Sequence, residues 1–279
     1  MAHDPIPPRA TGPIAMNVHR VPPPWRLPEG VNVPLWEYMH TARLAVEEDA
    51  YFAGHPLFEE DARILDAHFT TPGRLVDLGC GAGRHALRFA GRGFSVVAID
   101  LSRPMLETVQ RKAIELEEGP SLLPLQANLC RLGCLADGSF DYGLSMFSTL
   151  GMIRSRAARE KSLGEAARIL RPGGRLALHV HNLWLNFRNS QGRLWLLGQL
   201  GRALRLQADV GDRRMTYRGI HGMEVHLYRW GELKRELRGA GFRIDEVVPL
   251  QDVSYQPIDR PWLFPSFRAG GWIVLARKP

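Results

Sequence analysis

The chain reads as an α/β protein built on a doubly wound, mostly parallel seven-stranded sheet with helices on both faces. Three observations predict it. Short β-branched and apolar runs recur between amphipathic stretches along most of the chain. Those runs lack polar–apolar alternation, as expected of parallel strands buried on both faces. The first run also passes into a helix through "VDLGCGAGRHAL", which puts Gly79, Gly81 and Gly83 into five positions. Glycine inside an element costs about 0.5–1 kcal/mol relative to alanine, so such spacing serves close approach or unusual dihedrals.

The elements follow in order. Prolines from Pro5 to Pro34 punctuate residues 1–34, and without an amide donor such an arm is neither a helix nor a central strand. It is a tail or an extended strap, with Trp25 and Leu27 as its candidate anchors. From Pro34 the spacing turns helical, with Leu35, Tyr38, Met39, Ala42 and Val46 on one stripe. A second helix runs from Pro56 to about Phe69, so residues 35–70 form an N-terminal helical unit. Strands then alternate with helices. "GRLVDLGC" precedes a helix from about Ala82 to Arg92. "SVVAIDLS" precedes one opened by Pro104 and closed by Gly119. "SLLPLQANL" is a weaker strand, interrupted by Pro124. "SFDYGLSMF" leads to the helix "AAREKSLGEAARIL", and "GRLALHVHN" follows the turn "RPGG". Residues 183–228 break the rhythm with tryptophans, leucines and arginines, an insertion placed over the crevice where open α/β sheets bind ligands. A helix "RWGELKRELRGAG" and the strands "FRIDEVVPL" and "GWIVLARKP" finish the domain, which spans 35–279.

Composition bounds the function. The formal charge is +7 and the pI about 9.7, which mildly favours an anionic partner such as RNA. Cys80, Cys130 and Cys134 make no disulfide framework and suit a reducing compartment. No run approaches the ~20 apolar residues of a membrane span, and the N-terminus has no apolar signal core. A cytoplasmic protein is the expectation.

The glycine spacing is G-x-G-x-G rather than the dinucleotide-binding G-x-G-x-x-G. Asp77 beside it suits a ligand bearing a cationic amine better than a pyrophosphate. Asp100 ends the second strand, where a carboxylate accepts ribose hydroxyls. Together "VDLGCGAG", "VVAID", "LQANL", "SFDYGLSMF" and "ILRPGGRLAL" resemble, in order and interval, the motifs of class I S-adenosylmethionine-dependent methyltransferases. The match runs from about Arg74 to Leu183. The resemblance implies a Rossmann-like fold with an antiparallel last strand, and S-adenosylmethionine as cofactor. It assigns Gly79, Gly81 and Gly83 to close approach of the cofactor, Asp77 to its amine, Asp100 to its ribose and Leu101 to its adenine. Asn128 stands where the family often has aspartate, and would accept from the adenine amino group, with the Leu129 amide donating to the ring. The Met146 carbonyl would take the methionine amine. Plainer readings exist: Asp77 as a cap, Asn128 as a turn former.

Methyl transfer from a sulfonium depends mainly on alignment, so no catalytic residue follows from the motif. His179 and His181 share a face at the end of the fifth strand, and His181 is the candidate base or substrate contact. With His221 and His226 they would make a four-histidine metal site, which spacing supports poorly. Tyr38 and His40 lie on a helix that covers the cofactor in such enzymes. The segment "HLYRWGELKRELRGAGF" is loosely similar to the end of wobble-uridine methyltransferases. Three functions stay open. A small-molecule or lipid-like acceptor is favoured by the tryptophan-containing insertion, and RNA by the arginines between 188 and 218. A non-catalytic cofactor-binding protein is the third.

Overall fold

The computed structural model describes residues 21–116, 121–204 and 210–279. Four helices come first: α1 (Val33–His40), α2 (Ala42–Val46), α3 (Glu48–Tyr51) and α4 (Pro56–His68). The alternating body is β1 (Arg74–Leu78), α5 (Arg84–Ala90), β2 (Ser95–Asp100), α6 (Arg103–Glu115), β3 (Leu122–Gln126), β4 (Phe140–Ser145), α7 (Thr149–Met152), α8 (Arg156–Ile169) and β5 (Leu170–His181). A cap follows, made of a 3-10 turn (Leu183–Arg188), α9 (Ser190–Leu204) and the hairpin β6 (Asp212–Tyr217) and β7 (Ile220–His226). The chain closes with α10 (Trp230–Gly239), β8 (Arg243–Leu250), α11 (Pro265–Arg268) and β9 (Gly271–Arg277).

The main sheet has the order β3-β2-β1-β4-β5-β9-β8. Only β9 runs against its neighbours; the other pairs are parallel. Strand order reverses between β1 and β4, and the crevice beyond their carboxyl ends is where such sheets bind ligands. Burial follows the apolar runs: β9 is buried from Gly271 to Ala276. Pro124 is tolerated because β3 is an edge strand, where a missing amide costs no ladder bond. One layer packs Leu65, Phe69, Phe89 and Phe94 on one face, and a second packs Leu163, Leu233, Leu237 and Trp272 on the other. Each fully buried side chain of this size contributes roughly 1.5–3 kcal/mol.

Several expectations shift. The N-terminal helix is broken at Thr41, whose backbone is extended and whose hydroxyl donates to the Glu37 carbonyl at 2.7 Å. The break rotates the face: Leu44 and Ala45 are buried, while Ala42 and Val46 are exposed. The strap is not anchored by Trp25, which is 82% exposed, but by buried Val31 and Asn32. Around them Gly30 accepts from the Arg154 amide at 2.8 Å, and Asn32 Nδ2 donates to Glu224 at 3.0 Å. Pro5, Pro7, Pro8, Pro13 and Gly119 lie outside the described residues. "RPGG" is not a separate turn but falls within β5, where a register shift against β4 absorbs it.

The cap is tied to the body by a buried ion cluster. His226 donates from Nδ1 to Asp212 at 2.6 Å and from Nε2 to Glu232 at 3.2 Å. Arg159 of α8 lies 3.9 Å from Asp212. Burial alone would push the imidazole down, but the two carboxylates outweigh it and hold its pKa above 6.5. Asp212 and Glu232 are partly buried, yet the imidazolium holds both below the usual carboxylate range. The His226 share of stability is therefore full below pH 6.5 and lost as pH rises through the folded value. The carboxylate share is lost only as pH falls through their depressed values. His226→Gln should lower the melting temperature more at about pH 6 than at about pH 9. Equal losses at both, by circular dichroism, would contradict this assignment.

Candidate functional site

The site grows from the end of β1. The Gly79 and Cys80 amides both donate to the Ile99 carbonyl, at 2.8 and 2.9 Å. The Gly81 amide donates to Asp100 Oδ2 at 2.9 Å, and the Ser102 amide to Asp100 Oδ1 at 2.8 Å. One carboxylate thus clasps the first turn and the start of α6. Gly79 has φ +84°, and a Cβ there would lie 2.3 Å from Thr149 Cγ2. Gly81 has φ +53° and faces Glu48, whose Oε1 would stand 3.3 Å from an added Cβ.

These groups line a cavity of about 1230 Å³, larger than the roughly 300–1,000 Å³ of an ordinary ligand pocket. Asp77, Gly79, Gly81, Asp100, Leu101, Asn128, Leu129, Met146 and His181 all border it. Gly83 does not. It has φ +84°, and a Cβ there would meet Val109 Cγ2 at 2.8 Å, so it serves the packing of α5 on α6. Tyr38 borders the cavity and His40 does not. His40 turns back, its Nδ1 2.8 Å from the Trp36 carbonyl oxygen.

Two carboxylates sit at the floor. Asp77 is 2% exposed, and its Oδ2 has no hydrogen-bond partner. Burial pushes its pKa up to about 6, against a downward pull from His85 and with a further push from Asp100. Asp100 is also raised by burial, although three backbone amides partly offset the effect. Asn128 is spoken for at both ends: Oδ1 accepts from the Cys130 amide at 2.9 Å, and Nδ2 donates to the Glu29 carbonyl at 2.9 Å. The turn-forming reading therefore holds for its side chain, which also fastens the strap. The Met146 carbonyl already accepts from the Thr149 amide at 3.1 Å and from its hydroxyl at 2.8 Å. Its two lone pairs are occupied.

The other end of the cavity is aromatic. Phe52 stands edge-on to Phe58 and Phe147, with centroids 5.3 and 5.1 Å away. His55 lies 5.1 Å from Tyr255, and the Arg84 guanidinium sits 3.7 Å over Phe58. Phe147 and Ser148 both hold left-handed backbone, at φ +50° and +60°, a strain of about 1–3 kcal/mol each that the surrounding packing must sustain. Glu48 of α3 pairs with the buried Arg218, which also donates to the Leu44 carbonyl at 2.9 Å. Sequence reading missed this wall. Phe52, His55 and Phe58 belong to α3–α4 and the link between them, and no spacing rule ties that segment to Phe147 or Tyr255.

The histidines separate. His181 faces the cavity, with burial pushing its pKa down to about 4. His179 is wholly buried and packs edge-on against it at 5.1 Å. His221 contacts Thr216, and His226 belongs to the ion cluster. No group of three or more metal-ligating side chains exists among the described residues. The cysteines are free, Cys130 buried and Cys134 exposed.

Residues 75–174 match the family model described as "Methyltransferase domain". The chain is 38% identical over 109 residues to the demethylmenaquinone methyltransferase of Thermus thermophilus, covering 38% of this chain and 46% of that protein. It is 25% identical over 218 residues to the ubiquinone biosynthesis O-methyltransferase of Methylococcus capsulatus, covering 78% and 82%. The chain spans about half the length of the first curated relatives it matches. Among solved structures it resembles the Burkholderia thailandensis 1,6-didemethyltoxoflavin-N1-methyltransferase, which holds 1,6-didemethyltoxoflavin and S-adenosylhomocysteine. The TM-score is 0.56 at 19% identity, over 90% of this chain and 93% of that one. With the glycine turn at the start of the matched segment and the sheet order around it, residues 75–174 carry a methyltransferase domain, and the fold is that of the class I S-adenosylmethionine-dependent methyltransferases.

Proposed function

We propose that the chain transfers the methyl group of S-adenosylmethionine to a small apolar or aromatic acceptor. The observation that carries this reading is one cavity with two chemically distinct ends. One end has bare main chain and two buried carboxylates, the other an aromatic wall with His181. The cofactor fits the first end. Asp77 Oδ2 is a buried acceptor without a donor, which suits an ammonium group. Asp100 borders the cavity while holding the turn, and it would take the ribose hydroxyls. Leu101 and Leu129 would pack on the adenine, and the Leu129 amide would donate to its ring. Asn128, engaged on both sides, would shape the turn that presents Leu129. When bound, the cofactor supplies an activated methyl carbon.

The chain's own groups then do two things. The aromatic wall of Phe52, Phe58 and Phe147 would hold a planar or apolar acceptor and exclude water. His181, neutral above a pKa of about 4, would take a proton from an acceptor hydroxyl or amine. Two relatives are named for quinones and one solved structure for 1,6-didemethyltoxoflavin, which supports an acceptor bearing an aromatic or quinone ring. The RNA reading draws less support. Arg188 pairs with Asp252, Arg214 with Glu224 and Arg218 with Glu48, so these charges are committed within the protein.

Asp100→Asn should weaken S-adenosylmethionine binding by about tenfold or more in calorimetry, since charged hydrogen bonds are lost, while the chain stays folded. Unchanged affinity would contradict the cofactor assignment. His181→Asn should leave cofactor affinity intact and lower kcat toward hydroxyl or amine acceptors by about 100-fold or more. The wild-type rate should fall as pH drops through about 4. A variant with undiminished kcat would remove His181 from the chemistry. Cofactor binding without turnover on phenolic, catecholic or heteroaromatic acceptors would favour the non-catalytic reading.

A further inference from the structure

The cap turns an apolar face outward. In α9 the side packed on the protein carries Gly192, Leu196 and Gln199. The opposite side carries Leu194, Leu197, Leu200 and Leu204, which are 58–78% exposed. A solvent-facing helix surface normally carries the polar residues; here the order is inverted.

The face does not stop at α9. The preceding 3-10 turn bears exposed Phe187, and its Trp184 packs on Phe267 of α11 at 5.1 Å. Arg188 joins the same two segments, pairing with Asp252 at 3.2 Å and donating to the Arg268 carbonyl. Beside them Trp262, Phe264 and Phe267 are exposed, Trp262 by 75%. Exposed apolar side chains gathered on segments joined through the 3-10 turn mark an interaction site. The cavity lies directly behind it, because Leu185 and Val253 of these segments line its wall.

Charge identifies the partner. Arg193, Arg260 and Arg268 border the face and form no ion pair with a carboxylate among the described residues; Arg193 and Arg268 donate only to main-chain carbonyls. The segments 183–204 and 251–270 contain just two acidic residues, Asp252 and Asp259, and Asp252 is neutralised by Arg188. Leucine, tryptophan and phenylalanine rimmed by arginine is the composition of a helix lying in a membrane interface. No helix among the described residues is long and apolar enough to cross a membrane, so the contact is peripheral.

We propose that α9, α11 and the loop at 251–264 dock on an anionic lipid surface, bringing the cavity to the bilayer. Leucines and aromatic rings enter the headgroup layer, while the arginines meet lipid phosphates. Docking of this kind stands independently of methyl transfer, because vesicle binding reports it directly.

The test is co-sedimentation of the full chain with vesicles of phosphatidylcholine alone, or mixed with phosphatidylglycerol. Binding is expected to the mixed vesicles and to weaken with added salt. Leu197→Glu and Trp262→Glu should each reduce binding by about tenfold or more, and Arg193→Gln by about fivefold. These side chains are exposed, so the melting temperature should hold. As a check on the unmodified surface, tryptophan emission should shift to the blue on adding mixed vesicles, and Trp262→Phe should shrink that shift while retaining binding. Failure to sediment with either vesicle would overturn the proposal, as would binding indifferent to phosphatidylglycerol or to Leu197→Glu. So would self-association that Leu197→Glu abolishes without any lipid binding, which would make the face a contact between two copies.

Discussion

A single carboxylate organises the binding end of the molecule. Asp100 accepts from Gly81 on one side and Ser102 on the other, so the turn after β1 and the start of α6 share one anchor. Two amides of the same turn converge on the neighbouring Ile99 carbonyl. Amide donors favour the ionised acid, but burial raises Asp100 above its ordinary value all the same. Asp77, in the same floor, is raised too and leaves an oxygen unmatched. A pair of desolvated acids is costly unless something supplies donors or positive charge. The fold carries that cost where a ligand with a cation and hydroxyls can relieve it.

The rest of the cavity depends on segments that the sheet does not contain. The strap, the first helices and the cap meet over the crevice through a shared apolar cluster and a few long-range polar bonds. Asn32 caps α1 and reaches Glu224 of β7. Ser102 caps α6 and donates to the Met39 carbonyl at 2.7 Å. Arg218 crosses from the hairpin to Glu48 and Leu44. Each bond joins elements far apart in sequence, and each is at least partly buried, where an unmade bond costs about 1–3 kcal/mol. The lid is therefore held both by these bonds and by an apolar cluster in which Leu44 and Ala45 of α2 pack with Met105 of α6 and with Ile220 and Met223 of β7.

This division explains what could be read from the sequence. The alternation of apolar runs and helices is local, and so is the G-x-G-x-G turn; both appeared where expected, and Asp77 and Asp100 line the cavity with them. Gly83 was misplaced because spacing cannot tell a glycine that faces a ligand from one that faces Val109. The stripe through Ala42 and Val46 failed because Thr41 resets the helical phase, a one-residue event that periodicity averages over. Trp25 has the size of an anchor, while the buried residues are Val31 and Asn32, with Asn32 held by Glu224 of β7 and Gly30 beside them by the Arg154 amide just before α8. The aromatic wall stayed hidden for the same reason. Phe52 and Phe147 are neighbours only through the third dimension.

Net charge says little by itself about the partner, and where the arginines sit says more. A net +7 invites a search for phosphate contacts, yet many arginines act as struts. Arg159 lies in the His226 cluster, Arg168 binds Glu165 and Asp137, and Arg213 reaches Asn186. Guanidinium suits this work, since it stays charged when buried and offers several donors in a fixed fork. What remains outside on the cap is a leucine face with a thin basic rim. An RNA groove needs charge spaced along a backbone, interleaved with stacking rings. This surface places its apolar groups together and its charges around them, which fits a layered environment better than a polyanion.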